Sequence, residues 1–433
     1  MTTLPIKTLH ITNFYHAASG GIGTAYRALM AVANGRQRQM RLVVPGERTE
    51  VEEVGQFARI YHIRCRRAPF FDGRYRLILP GKYLVSYRSE LRRILLAEQP
   101  DLIEVCDKYV LNWLAGLIRR RWIAGLGRPT VVGMSCERMD DNVAAYLFDG
   151  AGGRLLAQSY MRNLYVPMFD FHVANSDYTA AELRLAAGPD GASRILVCQP
   201  GVDTQFFTPG RRSVAFRDQL VREAGGDSHT VLLLYAGRVS PEKNIPLLLD
   251  MMNRLAVDRL PDYRLIVAGS GPLIDRIKDR AEWQAPGRIR MLGQVSDRNR
   301  LADLYANSDA FVHPNPREPF GLAPLEAMAS GCPTIVPNAG GVLSYANAGN
   351  AWIAAPNGSE FADAVRSVFC ESQTRREKIR RARATAEQNS TLIANGRLFE
   401  TYDELHRRFQ AELLGGAGFR WSRRRMSDTW IPS

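Results

Sequence analysis

Two glutamates in the second half of the chain have a spacing suited to a hydroxylated, phosphorylated ligand. Glu318 precedes the sequence PFGLAPL, and Glu326 follows it. Carboxylates accept hydrogen bonds from sugar and ribose hydroxyls. Each residue also has an ordinary structural explanation, because Glu318 could cap a helix and Glu326 could be an exposed helical acid. The seven residues between them favour the binding interpretation.

Those seven residues predict the N-terminus of a short helix. Pro324 suits the first turn of a helix over residues 323–330, and Gly331 suits its end. Amide groups at a helix N-terminus bind anions, above all phosphate. The amides placed to do so belong to Phe320, Gly321 and Leu322.

A second candidate is the sequence AGRVSPEKN at residues 236–244. Ser240 can cap the next helix, and Pro241 suits its first position. Lys243 would then lie in the first helical turn, with Arg238 just before it. Cations there oppose the helix dipole, so two of them indicate that an anion binds between them. The alternative is a pair of solvated surface cations.

A third candidate is a glycine cluster that follows the first predicted strand. Gly20, Gly21 and Gly23 would let amides at the start of a helix approach a phosphate closely. The cluster is not a dinucleotide-binding fingerprint, because Tyr26 stands where a third spaced glycine is needed. A tight turn from strand to helix explains it equally well.

Together these motifs resemble the retaining glycosyltransferases of the GT-B fold, and specifically glycosyltransferase family 4. The two glutamates at the family's spacing are the strongest element, and the resemblance runs almost the whole length of the chain. Further similar segments are YAGRVSPEKN at 235–244, VAGSGP at 267–272, LGQV at 292–295, NSDYTAAEL at 175–183 and PGVDTQFF at 200–207. The resemblance implies that the second domain holds a nucleotide-sugar donor and the first an acceptor.

The resemblance also implies a role for each candidate residue. Arg238 and Lys243 would contact the donor diphosphate. Glu326 would bind the ribose hydroxyls, and Glu318 would face the transferred sugar. Stabilising the departing nucleoside diphosphate should then be the largest catalytic contribution. Further donor contacts would come from Gly20 and Gly21 beside the diphosphate and from Gly293, Gln294 and Val295 beside the base.

One position departs from the family pattern. Many relatives have a histidine near the transferred sugar after the strand predicted over residues 130–134, and this chain has Cys136 there. A thiol donates only a weak hydrogen bond. A backbone carbonyl could make the sugar contact, Glu137 or Arg138 could take part, or the loop could be purely structural. His16, near the glycine cluster, is another candidate contact.

The elements that would position these residues alternate short apolar runs with stretches of helical period, which predicts βαβ units. The predicted fold class is α/β with GT-B architecture, in which two doubly wound Rossmann-like domains face a central cleft. Strands are predicted at residues 9–14, 40–44, 102–105, 130–134 and 171–174, and at 231–236, 264–268, 289–292, 310–312 and 334–336.

The predicted domain order follows from the breaks in this pattern. Residues 1–199 form an acceptor-binding domain, 200–213 a linker rich in proline and glycine, and 214–395 a nucleotide-sugar-binding domain. Residues 396–433 form a tail whose helix, at 399–413, crosses back onto the first domain, as the resemblance implies.

Composition and charge restrict the partners. The 433 residues are 45% hydrophobic and 23% charged, which is typical of a globular protein, and the net charge of +13 favours anionic partners. Much of that charge lies in residues 59–93, where ten basic side chains and interleaved aromatic residues predict docking on an anionic membrane. A solvated arginine-rich surface is the alternative. No nucleic-acid module is recognised.

Sequence features that are missing give further expectations. Six scattered cysteines without a C-x-x-C pair indicate reduced thiols, and no Asp-x-Asp pair occurs. We therefore expect no required metal and no cofactor other than the donor substrate. The N-terminus lacks the features of a signal peptide, so we expect a cytoplasmic protein that associates peripherally with the inner face of the cytoplasmic membrane.

The expected function is retaining transfer of a hexose from a nucleotide sugar to a lipid-linked or polysaccharide-precursor acceptor. The local sequences IEVCDKY at 103–109 and SCERMDD at 135–141 are similar to those of bacterial mannosyltransferases and favour GDP-mannose as the donor. A UDP-sugar-dependent transferase is the alternative. A nicotinamide-dependent oxidoreductase is disfavoured because GSGPLI at 269–274 lacks the third glycine. A non-catalytic nucleotide-sugar-binding protein would be expected to lack one of the acids or cations.

Overall fold

The structure, a computed structural model, describes residues 5–15, 20–67, 76–83, 89–146, 151–258 and 261–415. It divides into two compact units. Met1–Cys198 and Asn395–Ser433 form the first unit, and Gln199–Ala394 form the second. None of the helices in these ranges combines the length and the apolar character that a bilayer span requires.

The first unit contains an eight-stranded sheet in the order β3-β4-β2-β1-β5-β6-β7-β8, in which only the edge pair β3 and β4 is antiparallel. Its strands are β1 (Thr8–Thr12), β2 (Met40–Gly46), β3 (Glu50–Glu53), β4 (Ala58–Arg64), β5 (Leu102–Cys106), β6 (Thr130–Ser135), β7 (Phe171–Ala174) and β8 (Ile195–Val197). Its helices are α1 (Gly20–Gly35), α2 (Glu90–Glu98), α3 (Asn112–Arg119), α4 (Met139–Tyr146), α5 (Ala151–Tyr160) and α6 (Asp177–Gly191).

The second unit contains a six-stranded parallel sheet in the order β11-β10-β9-β12-β13-β14. Its strands are β9 (Thr230–Ala236), β10 (Asp262–Ala268), β11 (Ile289–Gly293), β12 (Ala310–Val312), β13 (Thr334–Pro337) and β14 (Trp352–Ala354). Its helices are α7 (Val214–Glu223), α8 (Ile245–Leu255), α9 (Ile274–Gln284), α10 (Arg298–Asn307), α11 (Leu322–Ala329), α12 (Gly358–Cys370) and α13 (Ser372–Gln388). The last helix, α14 (Thr391–Leu414), begins in this unit and belongs to the first from Asn395 onward.

Strand β9 shows why the apolar runs are continuous. Leu232 and Leu234 point into one core cluster, whereas Leu233 and Tyr235 point into the cluster on the other face of the sheet. Successive side chains of a strand alternate between faces, so a sheet that is covered on both faces needs apolar residues at every position.

Each of the ten predicted strands overlaps a strand of the structure, and the predicted α/β fold class is confirmed. Four strands were not predicted: β3, β4, β8 and β14. Strand β3, with the sequence EVEE, is a charged edge strand, and β8 and β14 have only three residues each. The structure places residues 200–213, the predicted linker, in the second unit, where Phe207 is buried.

A buried polar network joins α14 to the sheet of the first unit. Glu104 in β5 accepts hydrogen bonds from the hydroxyls of Tyr26 in α1, at 2.8 Å, and Tyr402 in α14. Nδ1 of His10 in β1 lies 3.1 Å from Glu104 Oε1. Burial raises the pKa of Glu104, but these three neighbours outweigh burial, so the pKa lies below its ordinary value. A carboxylate in the core therefore depends on a hydroxyl of the last helix.

We expect Tyr402→Phe to lower the free energy of unfolding by about 1.5 to 3 kcal/mol, because it removes one hydrogen bond from a buried charged group. Urea denaturation measures the change. Tyr165→Phe is the matched control, since Tyr165 is equally buried in the same unit but its hydroxyl has no hydrogen-bond partner within the described ranges. The control should be neutral or slightly stabilising. Equal losses in both variants would contradict the importance of the network.

Candidate active site

Lys243 and Glu318 form a charged centre in the second unit. Lys243 Nζ lies 2.7 Å from Glu318 Oε2, although the two residues are 75 positions apart in the chain. Lys243 follows β9 and Glu318 follows β12, and these two strands are neighbours in the sheet. Neighbouring parallel strands end at the same edge, which brings the two loops together.

The helix predicted to begin at Ser240 begins later, so this prediction was wrong. Pro241–Lys243 form a single 3₁₀ turn, Ser240 makes no capping hydrogen bond, and Asn244 adopts a left-handed conformation with φ of 52°. α8 starts at the next residue, with Pro246 in its first turn. The lysine therefore lies in a turn before the helix, and the helix-dipole argument for an anion does not apply to it.

Glu318 is surrounded by groups that favour its charged form. Asn315 Nδ2 donates to Glu318 Oε2 at 3.0 Å, and His313 Nε2 lies 3.4 Å from the same oxygen. The side chain is only 13% exposed. Burial alone would raise the pKa of Glu318, but the charge of Lys243 and the contact with His313 hold it far below its usual range. Glu318 is therefore ionised at physiological pH.

Two glycines after β13 fix the backbone of the Glu318 loop. The amide of Gly341 donates to the carbonyl of Glu318 at 2.7 Å. A Cβ at Gly341 would lie 1.9 Å from the carbonyl oxygen of Pro319, and one at Gly340 would lie 2.8 Å from that of Pro316. Only glycine permits this approach. We did not predict these glycines or the partners His313 and Asn315; the available signal was a glycine pair that begins four residues after a predicted strand.

The N-terminus of α11 is open to an anion. The helix begins at Leu322, one residue before the predicted start, after Gly321 with φ of 91°. Its N-cap, Gly321, makes no side-chain capping bond, and no side chain in the described ranges is hydrogen-bonded to an amide of the first turn. The turn is held from the core, because Tyr345 OH donates to the carbonyl of Gly321 and the rings of Phe320 and Tyr345 lie 5.1 Å apart.

Glu326 has a different environment from Glu318. Its Oε2 accepts a hydrogen bond of 3.0 Å from the hydroxyl of Tyr305 in α10. Burial raises the pKa of Glu326 to about 7, and the hydrogen bond from Tyr305 and the charge of Arg298 offset this only in part. Glu326 therefore changes its protonation state near neutral pH.

The remaining donor-site candidates of the second unit lie at the same edge of the sheet. Arg238 is exposed, and no carboxylate of the described residues pairs with it. Gly293, at the end of β11, has φ of 70°. Gln294 is exposed, and Val295 packs partly against the core.

The candidates of the first unit are only partly described. Gly20 and Gly21 begin α1, and a Cβ at Gly21 would meet no atom within 4 Å. His16 and Ser19 lie outside the described residues. The structure therefore shows the helix start but not the whole predicted glycine loop.

The loop that carries Cys136 is held by contacts within the first unit. Cys136 is half-buried, and its side chain packs against an apolar core cluster. Glu137 Oε2 accepts a hydrogen bond of 2.8 Å from Asn142 Nδ2, and burial raises the pKa of Glu137. Arg138 pairs with Asp140 at 2.5 Å. The two charged residues that could replace the missing histidine thus already have partners.

Two family models match the chain. Residues 19–206 match the model described as Glycosyltransferase Family 4, and residues 217–385 match the model described as Glycosyl transferases group 1. The two matched segments together cover most of both units.

Two bacterial relatives are similar along much of their length. The GDP-mannose-dependent alpha-(1-6)-phosphatidylinositol dimannoside mannosyltransferase of Mycobacterium tuberculosis is 29% identical over 379 residues, which are 88% of this chain and 92% of that protein. The GDP-mannose-dependent alpha-mannosyltransferase of Corynebacterium glutamicum is 28% identical over 311 residues, which are 71% of this chain and 66% of that protein.

Solved structures share the fold at low sequence identity. Anabaena HepE, in complex with UDP and glucose, has a TM-score of 0.67 at 18% identity and covers 92% of this chain and 100% of its own. Sucrose-phosphate synthase from Thermosynechococcus elongatus has a TM-score of 0.69 at 18% identity, with coverages of 94% and 100%. The predicted GT-B architecture and enzyme class are confirmed, and the chain belongs to glycosyltransferase family 4.

Proposed function

We propose that this enzyme transfers a mannosyl group from GDP-mannose, with retention of configuration, to a lipid-linked or polysaccharide-precursor acceptor. The names of the relatives from M. tuberculosis and C. glutamicum support the donor, since both are described as GDP-mannose-dependent. The name of the first also supports a lipid acceptor, because it contains a phosphatidylinositol dimannoside. A UDP-sugar donor is the second candidate, favoured by the UDP complex of HepE.

The observation that carries the proposed chemistry is the ion pair between Lys243 and Glu318. When the bond to the anomeric carbon breaks, the departing nucleoside diphosphate gains negative charge. An ammonium group that is already oriented stabilises this charge without reorganisation during the reaction. Glu318 provides that orientation, and Arg238 is exposed and available as a second cation.

The other candidates complete the proposed donor site. The amides of Phe320, Gly321 and Leu322 at the uncapped start of α11 would meet a phosphate. Glu318 would accept hydroxyls of the sugar, and Glu326 would accept the ribose hydroxyls. The base would lie against Gly293, Gln294 and Val295, and the amides of Gly20 and Gly21 would bind phosphate at the start of α1.

We further propose that the acceptor is held at a membrane and that the enzyme associates with it peripherally. In the structure, the basic stretch at 59–93 supports membrane association less well than its amino-acid composition alone does. Tyr61 OH donates to Glu98, and Tyr83 OH donates to the carbonyl of Val110 at 2.6 Å, so neither ring tip is available to lipid. Arg64, Arg66 and Arg67 are exposed, Arg59 and Arg76 are paired with acids, and residues 68–75 and 84–88 lie outside the described residues.

The donor proposal predicts that GDP-mannose raises the melting temperature of the purified protein more than UDP-glucose or UDP-N-acetylglucosamine does. Without an acceptor, the enzyme should release GDP slowly from GDP-mannose, and a chelator should not change the rate. Stabilisation by UDP-sugars alone would favour the second candidate. Tight binding without any turnover would contradict an active transferase and indicate a nucleotide-sugar-binding protein.

Lys243→Ala should lower kcat/KM by roughly ten- to a hundredfold, because one charged hydrogen bond to the departing diphosphate is lost. The fold should survive, since Asn315 still donates to Glu318. Lys278→Ala, at an exposed position of α9, is the control and should keep the parental rate. A parental rate in Lys243→Ala at both saturating and limiting GDP-mannose would show that the site is assigned wrongly.

Donor affinity should increase with pH between about pH 6 and pH 8, because the pKa of Glu326 is about 7 and a carboxylate accepts ribose hydroxyls better than a carboxyl group does. Up to about a tenfold change in Kd is expected by calorimetry. Glu318 stays ionised across this range and does not contribute. In Glu326→Gln the dependence should flatten; an unchanged slope in that variant would assign the titration to another group.

A further inference from the structure

An exposed face of the first unit combines tryptophan and arginine. Trp113 in α3 is 40% exposed, and Trp122, just beyond the end of that helix, is 70% exposed. Arg120 and Arg121 are also exposed. The chain contains no aspartate or glutamate from residue 108 to residue 136. This face is therefore apolar and cationic at once.

The geometry points to this face, formed by Trp113, Leu117, Arg120, Arg121 and Trp122, as the surface that docks on a membrane containing anionic lipid; we call it the α3 face. Indole rings prefer the headgroup region of a bilayer, and arginines gain from the negative surface potential. The inference rests on the proposed transfer to a membrane-held acceptor, and it identifies the part of the enzyme that meets the membrane.

The side of α3 that adjoins the α3 face is fixed to the protein. Asn112 Nδ2 donates to Tyr160 OH at 3.0 Å, and Arg119 Nε donates to Asp170 at 3.0 Å. Gly116 lies against Met168, whose sulfur would be 2.3 Å from an added Cβ. Positions three and four apart share a side of a helix, so Trp113, Leu117 and Arg120 lie together next to this packed side. Arg120 also reaches it, because its Nη1 donates to the carbonyl of Gly116 at 3.3 Å and lies 3.5 Å from the sulfur of Met168.

Arg121 adopts a left-handed backbone conformation, which glycine adopts more readily than any other residue. Its φ is 60°, its amide donates to the carbonyl of Ile118, and the amide of Trp122 donates to the carbonyl of Leu117, both at 3.0 Å. This is the hydrogen-bond pattern of a helix end that normally contains glycine. Within the described ranges the side chain of Arg121 has no hydrogen bond or ion pair. No contact among the described residues favours an arginine at this position, so its charge is available to an external anion.

A neighbouring helix also exposes apolar and basic side chains. α5, whose last residue Tyr160 is bonded to α3, exposes Leu155 by 50% and Leu156 by 65%. Arg154 beside them is exposed, and no acid occurs from residue 151 to residue 169. A second copy of the chain is a poorer occupant, because a symmetric contact through the α3 face would bring arginine against arginine. Anionic lipid provides the opposite charge.

Sedimentation of the full-length protein with lipid vesicles tests the inference. The wild type should bind phosphatidylcholine vesicles that contain phosphatidylglycerol, bind pure phosphatidylcholine weakly, and lose binding as salt increases. Arg121→Gly should lower the partition coefficient about fivefold through the loss of one cation near the surface. This variant suits the backbone, so its melting temperature should be equal to or above that of the wild type. Trp122→Ala should also reduce binding.

Two controls make the result specific to the α3 face. Trp283→Ala removes a tryptophan that is 81% exposed in α9 of the second unit, a helix with three acidic and three basic residues, and should leave binding unchanged. Replacing Arg64, Arg66 and Arg67 by glutamate should lower binding less than Arg121→Gly does. Failure of the wild type to bind anionic vesicles overturns the inference, as does loss of binding in the triple variant alone. Concentration-dependent dimers that Trp122→Ala abolishes would also overturn it.

Release of GDP from GDP-mannose, measured without vesicles, separates this inference from the proposed function. Arg121→Gly and Trp122→Ala should keep the parental rate, because neither residue is among the proposed donor residues. Active enzyme without vesicle binding would overturn the docking surface and leave the transferase proposal intact. If the protein binds vesicles through the α3 face but shows no turnover, the transferase proposal is overturned and the docking surface stands.

Discussion

A buried carboxylate that must stay charged controls the arrangement of the second unit's site. Glu318 is almost completely removed from solvent, and an ionised carboxylate without partners would be too costly there. The loops after β9 and β12 provide Lys243 and Asn315 as partners of the carboxylate, and Gly341 after β13 holds the backbone carbonyl of Glu318. The parallel sheet makes this possible because its strands end at one edge. The need to keep Glu318 ionised thus accounts for both the position and the charge of Lys243.

Two glutamates on one short segment acquire opposite properties from their neighbours. A lysine and a histidine lie beside Glu318, so its pKa is far below the ordinary value. The partner of Glu326 is the neutral hydroxyl of Tyr305, so burial dominates and raises its pKa to about 7. One carboxylate is thus a fixed element of the site. The other changes its protonation state near neutral pH.

Local signals in the sequence predict most of the helices and strands, but few of the side-chain contacts between them. Apolar runs mark β9 and β12, and Gly321, Pro324 and Gly331 mark α11 to within one residue. The start of α8 could not be predicted, because two prolines five residues apart suit a first turn equally well and tertiary contacts choose between them. Two partners of Glu318, His313 and Asn315, come from a segment without hydrophobic periodicity. Glu104 and Tyr402 are 298 residues apart, and no local pattern links them.

The place of α14 in the chain has a consequence for biosynthesis. The second unit, Gln199–Ala394, is one uninterrupted segment, whereas the first needs residues from both ends of the chain. During translation the sheet around Glu104 emerges from the ribosome early, but the hydroxyl of Tyr402 arrives only near the end of synthesis. Until then a core carboxylate lacks one of its partners. The unit made first is therefore completed last, and a nascent chain holds an unfinished sheet in its first unit while the second unit can already fold.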